Sequence, residues 1–210
     1  MTTDRTDFNE TWLAEMPQQI PIVDYYDAMV SNIKDYSQTE QIINLGTFKG
    51  FEVRKIKLDT LLFYWFELDN TILLAVELVI KPQGLIVRLL GKNPEYKNKK
   101  PYASDLYAFI LQDTKNGIRL FSDDRMSNEG FNLWRRLFND GFKVSTYDNN
   151  NPGGTFITLH SFFDFENFFN SDASYKQYQF VLHESTMITE TRCQFHTRRI
   201  RELSGLNLED

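Results

Sequence analysis

Apolar and polar positions change period along this chain, and the changes mark its parts. Residues 8–16 read as a short helix closed by Pro17. Residues 23–36 read as a second one, preceded by Pro21 and capped by Asp24, with Tyr26, Met29, Val30 and Ile33 at helical spacing. The spacing then drops to that of strands. Segments 42–48, 51–58, 61–68, 71–80 and 85–90 are rich in β-branched and aromatic residues, and Lys49-Gly50, Asp59-Thr60, Asp69-Asn70 and Pro82-Gln83-Gly84 divide them. This pattern predicts an antiparallel meander. Glu52, Arg54 and Lys57 predict one solvated face on its first long strand, and the nearly continuous apolar run 71–80 predicts a central strand.

After residue 100 the elements alternate. A helix begins at Tyr102 or Ser104, carries Leu106, Tyr107, Ile110 and Leu111 on one face, and stops at Asn116-Gly117. A strand at 118–122 follows. Ser127 then caps a helix bearing Phe131, Trp134 and Phe138, which Gly141 ends. Strands at 143–147, 156–159 and 178–182, a short helix at 162–169 and a basic helix at 189–203 complete the pattern. Strands first, then strand–helix alternation, predict an α/β (α+β) domain with a mixed, mostly antiparallel sheet flanked by helices. No repeat, low-complexity tract or long linker divides the chain. One domain over 1–210 is expected: a helical segment 1–41, a core 42–150 and an aromatic, basic extension 151–210.

Composition narrows the class. Of 210 residues, 41% are hydrophobic, with 18 Phe and 10 Tyr, which predicts a packed interior. No apolar run nears the roughly 20 residues of a membrane span, and the first residues carry no charged-then-apolar leader pattern. The single Cys193 excludes an intrachain disulfide and a thiolate zinc cage. A cytoplasmic protein with no membrane role is the expectation. The net charge of −6 weighs against tight nucleic-acid binding. Positive charge is nonetheless concentrated, with four Lys and one Glu in 92–100, and four Arg and no acid in 192–201.

Several side chains carry possible chemistry, each beside a plainer role. Lys92, Lys97, Lys99 and Lys100 can grip phosphates or an acidic partner, or form a solvated loop. Asp123-Asp124 follows a strand end, where ligands often sit, and can equally bond a local turn. Glu77 interrupts an apolar strand and is a candidate general base or a paired structural Glu. His160, His183 and His196 show no metal-ligand spacing and read as structural, as does Cys193. Phe162, Phe163, Phe165, Phe168 and Phe169 exceed one helix's core stripe, so part of 160–205 can face a protein partner. Arg192, Arg198, Arg199 and Arg201 suit anions or acidic partners.

The element order and certain residues resemble the GNAT acyltransferase family over roughly 50–150. Leu85-Ile86-Val87-Arg88-Leu89-Leu90 resembles its splayed strand, and Asn93-Pro94-Glu95-Tyr96 its lead-in "V-x-P-E-Y". The stretch from Ser127 to Trp134, then Gly141-Phe142, resembles "N-x-x-A-x-x-L-Y-x-x-x-G-F", which places Asn128 on the motif's Asn. The resemblance implies an acyl-CoA-dependent N-acyltransferase. Leu89 and Leu90 would lie along the pantetheine, Lys97, Lys99, Lys100 and Ala103 at the phosphates, and Glu77, Asp123 or Asp124 would serve as base. Two positions depart from the pattern. Where the family has a glycine-rich phosphate loop, this chain has Asn98-Lys99-Lys100-Pro101-Tyr102-Ala103, and Pro101 lacks an N–H. Trp134 stands where a Tyr would protonate the leaving thiolate, and an indole cannot do so. The alternatives are an inactive GNAT-like module that binds a protein, and, with less support, a nucleic-acid-modifying protein. A phage or mobile-element origin would suit the chain's style.

Overall fold

The computed structural model describes residues 25–114, 117–123, 126–151, 153, 155–168 and 177–183. The expected elements at 8–16 and 189–203, with Cys193, His196 and the arginines of 192–201, lie outside the described residues, as does Asp124. In chain order the elements are α1 (Tyr26–Tyr36), β1 (Ile43–Phe48), β2 (Phe51–Lys57), β3 (Leu61–Leu68), β4 (Thr71–Lys81) and β5 (Gly84–Lys92). Then come a 3-10 turn (Pro94–Tyr96), α2 (Ala103–Asp113), β6 (Leu120–Phe121) and α3 (Asn128–Asn139). β7 (Val144–Asp148), β8 (Ile157–Thr158), α4 (Asp164–Phe168) and β9 (Tyr178–Leu182) complete them.

The nine strands form one sheet in the order β1-β2-β3-β4-β5-β6-β9-β7-β8. Every pairing is antiparallel except β5 with β6. The fold is therefore mixed α+β, as the period change predicts. Tight turns close the meander: Lys49 at φ 52° with Gly50 at 88°, and Asp69 at 49° with Asn70 at 59°. Left-handed pairs of this kind match strand twist. The last strand does not add to the edge. β9 enters between β6 and β7.

Both faces of the sheet are covered. On one side Tyr64, Phe66, Leu74, Val76 and Leu90 meet Leu106, Tyr107 and Ile110 of α2, Trp134 of α3, and Phe165 and Phe180. On the other, Phe63, Trp65 and Ala75 meet Met29 and Ile33 of α1. This corrects the expectation of a wet face on β2. Val53 is buried in the larger core and Ile56 in the smaller, an odd spacing that sends them to opposite sides. Lys55 is drawn to Asp113 of α2 at 2.7 Å, and Arg54 to Glu67 at 3.3 Å and Glu52 at 2.8 Å.

Other boundaries shift for local reasons. α1 has Tyr25 at its N-cap rather than Asp24. α2 runs to Asp113, with Thr114 at its C-cap donating both N and Oγ1 to the Ile110 carbonyl at 3.0 and 2.7 Å, and Gly117 lies beyond it at φ 73°. The strand expected at 118–122 pairs only at Leu120 and Phe121. Ser127 caps α3 as expected, its Oγ accepting from Gly130 N at 3.2 Å, and Gly141 lies beyond its end at φ 86°.

Candidate functional site

The candidate site is a fork between β5 and β6. The two strands pair at Leu85↔Leu120 and Ile86↔Phe121 only, and β5 then runs on to Lys92. β6 stays with β9 instead. Ser122 N donates to the Phe180 carbonyl at 2.8 Å, Phe180 N to Ser122 Oγ at 2.9 Å, and Gln179 Nε2 to the Ser122 carbonyl at 2.5 Å. Among the described residues no strand pairs with 87–92 on the side away from β4.

A bulge sits at the crotch. The register passes from Leu78↔Val87 to Glu77↔Leu89, leaving Arg88 unmatched. Arg88 Nη1 donates to Glu77 Oε1 at 2.9 Å. The Glu77 side chain is only 5% exposed against 30% for Arg88, so the guanidinium covers the carboxylate. Burial pushes the Glu77 carboxyl above its usual range, and Arg88 pulls in the opposite sense. Glu77, expected as a general base or a paired residue, is paired with Arg88. Leu90 points into the larger core, and Leu89 is half-buried on the α1 side. Asp123, half-buried, lies two residues past the end of β6.

The lysine loop lies at the far end of β5. Asn93 anchors it: its N donates to the Leu73 carbonyl at 2.9 Å, its Nδ2 to Tyr26 Oη at 3.2 Å, and its Oδ1 accepts from Glu95 N at 2.9 Å. Lys92 is buried, donates to the Lys99 carbonyl at 2.8 Å and lies 5.0 Å from the Tyr102 ring centre. Burial lowers its pKa, and Asp105 pulls it back up. Lys97, Lys99 and Lys100 are all exposed, and Lys99 Nζ lies over the Tyr96 ring. Ala103 is buried at the first turn of α2.

Sequence reading missed Asp105. Its carboxylate accepts from Tyr102 N at 2.9 Å and from Lys49 Nζ at 2.6 Å, while its own N bonds the Tyr102 carbonyl. The start of α2 therefore already holds an anion belonging to the chain. An acid three residues after the helix-start residue was the available signal; the Lys49 partner, 56 positions away, left none.

The remaining candidates separate. Asn128 is exposed at the start of α3. Trp134 is a core residue stacked on Phe180 at 6.1 Å and tilted against Tyr107 at 6.4 Å. Phe165 is fully buried against Phe131, Phe138 and Phe180, which absorbs part of the aromatic cluster, whereas Phe163 is 80% exposed. His160 is exposed, and its N joins Ser161 N in capping Asp164. His183 Nε2 lies 2.8 Å from the buried Ser145 Oγ. Burial, then Arg119 and Lys143, lower the His183 pKa, so it is held neutral as a structural partner. No group of metal-ligating side chains occurs among the described residues, and no described helix is long and apolar enough to cross a membrane.

No protein-family profile matches the sequence, and no curated protein matches it. Two solved structures are distantly similar to the chain. One, from Bacteroides thetaiotaomicron, is ascribed to the GNAT acetyltransferase family; it is 10% identical with a TM-score of 0.37, over 99% of this chain and 98% of that one. The other is a protein of unknown function from Aquifex aeolicus, 13% identical with a TM-score of 0.33, over 83% of this chain and 93% of that one. Both likenesses are distant.

Proposed function

We propose that this chain is a divergent GNAT-like acyltransferase that lays the pantetheine arm of an acyl thioester, acetyl-CoA being the simplest, along the free side of β5. The fork carries the reading. A strand that leaves its parallel neighbour after two pairs presents unladdered backbone groups, and an extended, amide-bearing arm can bond them as an added strand would. The bulge at Arg88 bends β5 away at that point.

In the reaction an amine nitrogen attacks the thioester carbonyl, the C–S bond breaks, and the amine proton passes to the thiolate sulfur. Asp123 is the favoured base, because it follows β6 at the fork; Asp124 is its neighbour in sequence. Glu77 is the weaker candidate, since Arg88 already engages it. A second reading, an inactive module that binds a protein partner through 160–205, draws on Trp134 in the core and on exposed Phe163.

Calorimetric titration with acetyl-CoA and with acetyl-pantetheine tests the first reading. Binding of either supports it, and Asp123→Asn should then retain binding while losing transfer to amines. If neither thioester binds, the first reading fails and the second stands.

A further inference from the structure

We infer that the thioester reaching β5 is presented by an acidic carrier protein, on a phosphopantetheine arm, in preference to free CoA. This rests on the reading above and names the donor for the same fork.

CoA must place a pyrophosphate where its pantetheine ends, at the top of β5 and the start of α2. Three features oppose it there. The Asp105 carboxylate occupies that helix start, neutralised by Lys49 at 2.6 Å and drawn on by buried Lys92. Pro101 offers no N–H. Lys92, the one inward-facing lysine of the loop, spends a donor on the Lys99 carbonyl. An incoming pyrophosphate would find the Tyr102 N–H and the Lys49 ammonium already engaged by that carboxylate.

The loop's remaining cations face outward. Lys97, Lys99 and Lys100 are exposed, and Lys49 is half exposed at its bond to Asp105. Such a rim suits a partner whose negative charge is spread over a protein surface around a tethered arm. The chain's overall charge of −6 repels an acidic protein elsewhere, so this patch sets the docking register. The arm itself carries one phosphodiester, bonded to the carrier's serine, and needs no pyrophosphate cradle.

The test compares three probes on the full chain at low and moderate salt: an acetyl-loaded acidic acyl carrier protein, acetyl-CoA and acetyl-pantetheine. The carrier should bind at least ten-fold tighter than acetyl-CoA, and the advantage should shrink as salt rises. The triple variant Lys97→Glu, Lys99→Glu, Lys100→Glu should lower carrier affinity at least ten-fold, its unfolding curve confirming that it folds. Asp105→Asn should raise acetyl-CoA affinity several-fold. Acetyl-CoA binding as tightly as the carrier, or carrier binding untouched by the triple variant, overturns the inference while leaving the acyltransferase reading intact. Failure of both small thioesters to bind removes that reading itself, whatever the carrier does.

Discussion

The two faces of the sheet are finished in different ways. The face under α2 and α3 is closed by large apolar rings: Trp134 and Phe165 each pack on Phe180, with Tyr107 against Trp134. The face under α1 is thinner. There Met29 and Ile33 cover Phe63, Trp65 and Ala75, and the same side carries the Glu77–Arg88 pair. One face is held by volume. The other depends on close approach and charge balance, and so is the more sensitive to small changes beside the fork.

The largest test of this contrast is Trp134→Ala. Removing that ring leaves a cavity among other rings, and a loss of about 3–5 kcal/mol is expected in urea unfolding. If Trp134 instead served chemistry at the fork, stability would barely move.

Arg88→Met should come next, at or below the ~3 kcal/mol lower end for a broken buried pair, because Arg88 is partly exposed. Its deficit has a definite pH dependence. With the Glu77 carboxyl raised in the folded state, folding binds the proton more tightly than the unfolded chain does. The resulting stability is complete below the unfolded value and is lost as pH rises through the folded one. Without Arg88 the carboxyl rises further, so the variant's deficit should grow with pH over that range. Adding Glu77→Gln should recover most of it at neutral pH; a deficit equal at pH 4 and pH 7 would count against the pair.

Gly91→Ala probes the close approach. A Cβ there would stand 2.8 Å from Met29 Cγ and 3.1 Å from the Tyr25 carbonyl, forcing α1 off β5. A loss of about 1–3 kcal/mol is expected by thermal unfolding. Ser127→Ala should be the mildest, about 1 kcal/mol for one helix cap on the ring-filled side.

Much of this architecture is readable from the chain, and the exceptions share a cause. The meander and all four described helices follow from local period and turn residues, which act over a few positions. Local signals also found Ser127. What was missed is decided at a distance. Val53 and Ile56 face opposite cores because α1 and α2 cover both sides, which β2 alone cannot announce. The bulge at Arg88 depends on how β4 registers against β5. At the site, the lysines were visible as a run, but their division into one buried cation and three exposed ones was not. Lys92 is turned inward by Tyr102 and the Lys99 carbonyl, and Asp105 is fixed by a lysine in the β1–β2 turn.

The placement of β9 has a consequence for how the chain comes together in time. Residues 43–92 complete a run of neighbouring strands as they are made, each pairing with the one before. β6 and β7 cannot meet each other, because the slot between them belongs to residues 178–182, made last of the described strands. During synthesis the outer edge of β6 stays bare while some 57 positions separate Ser122 from Gln179. Closing so long a loop is slow, and an open edge can recruit another nascent chain. Folding should therefore be biphasic, an early phase for the meander and a late one for insertion of β9. Chains ending before residue 178 should aggregate rather than settle into a smaller stable domain.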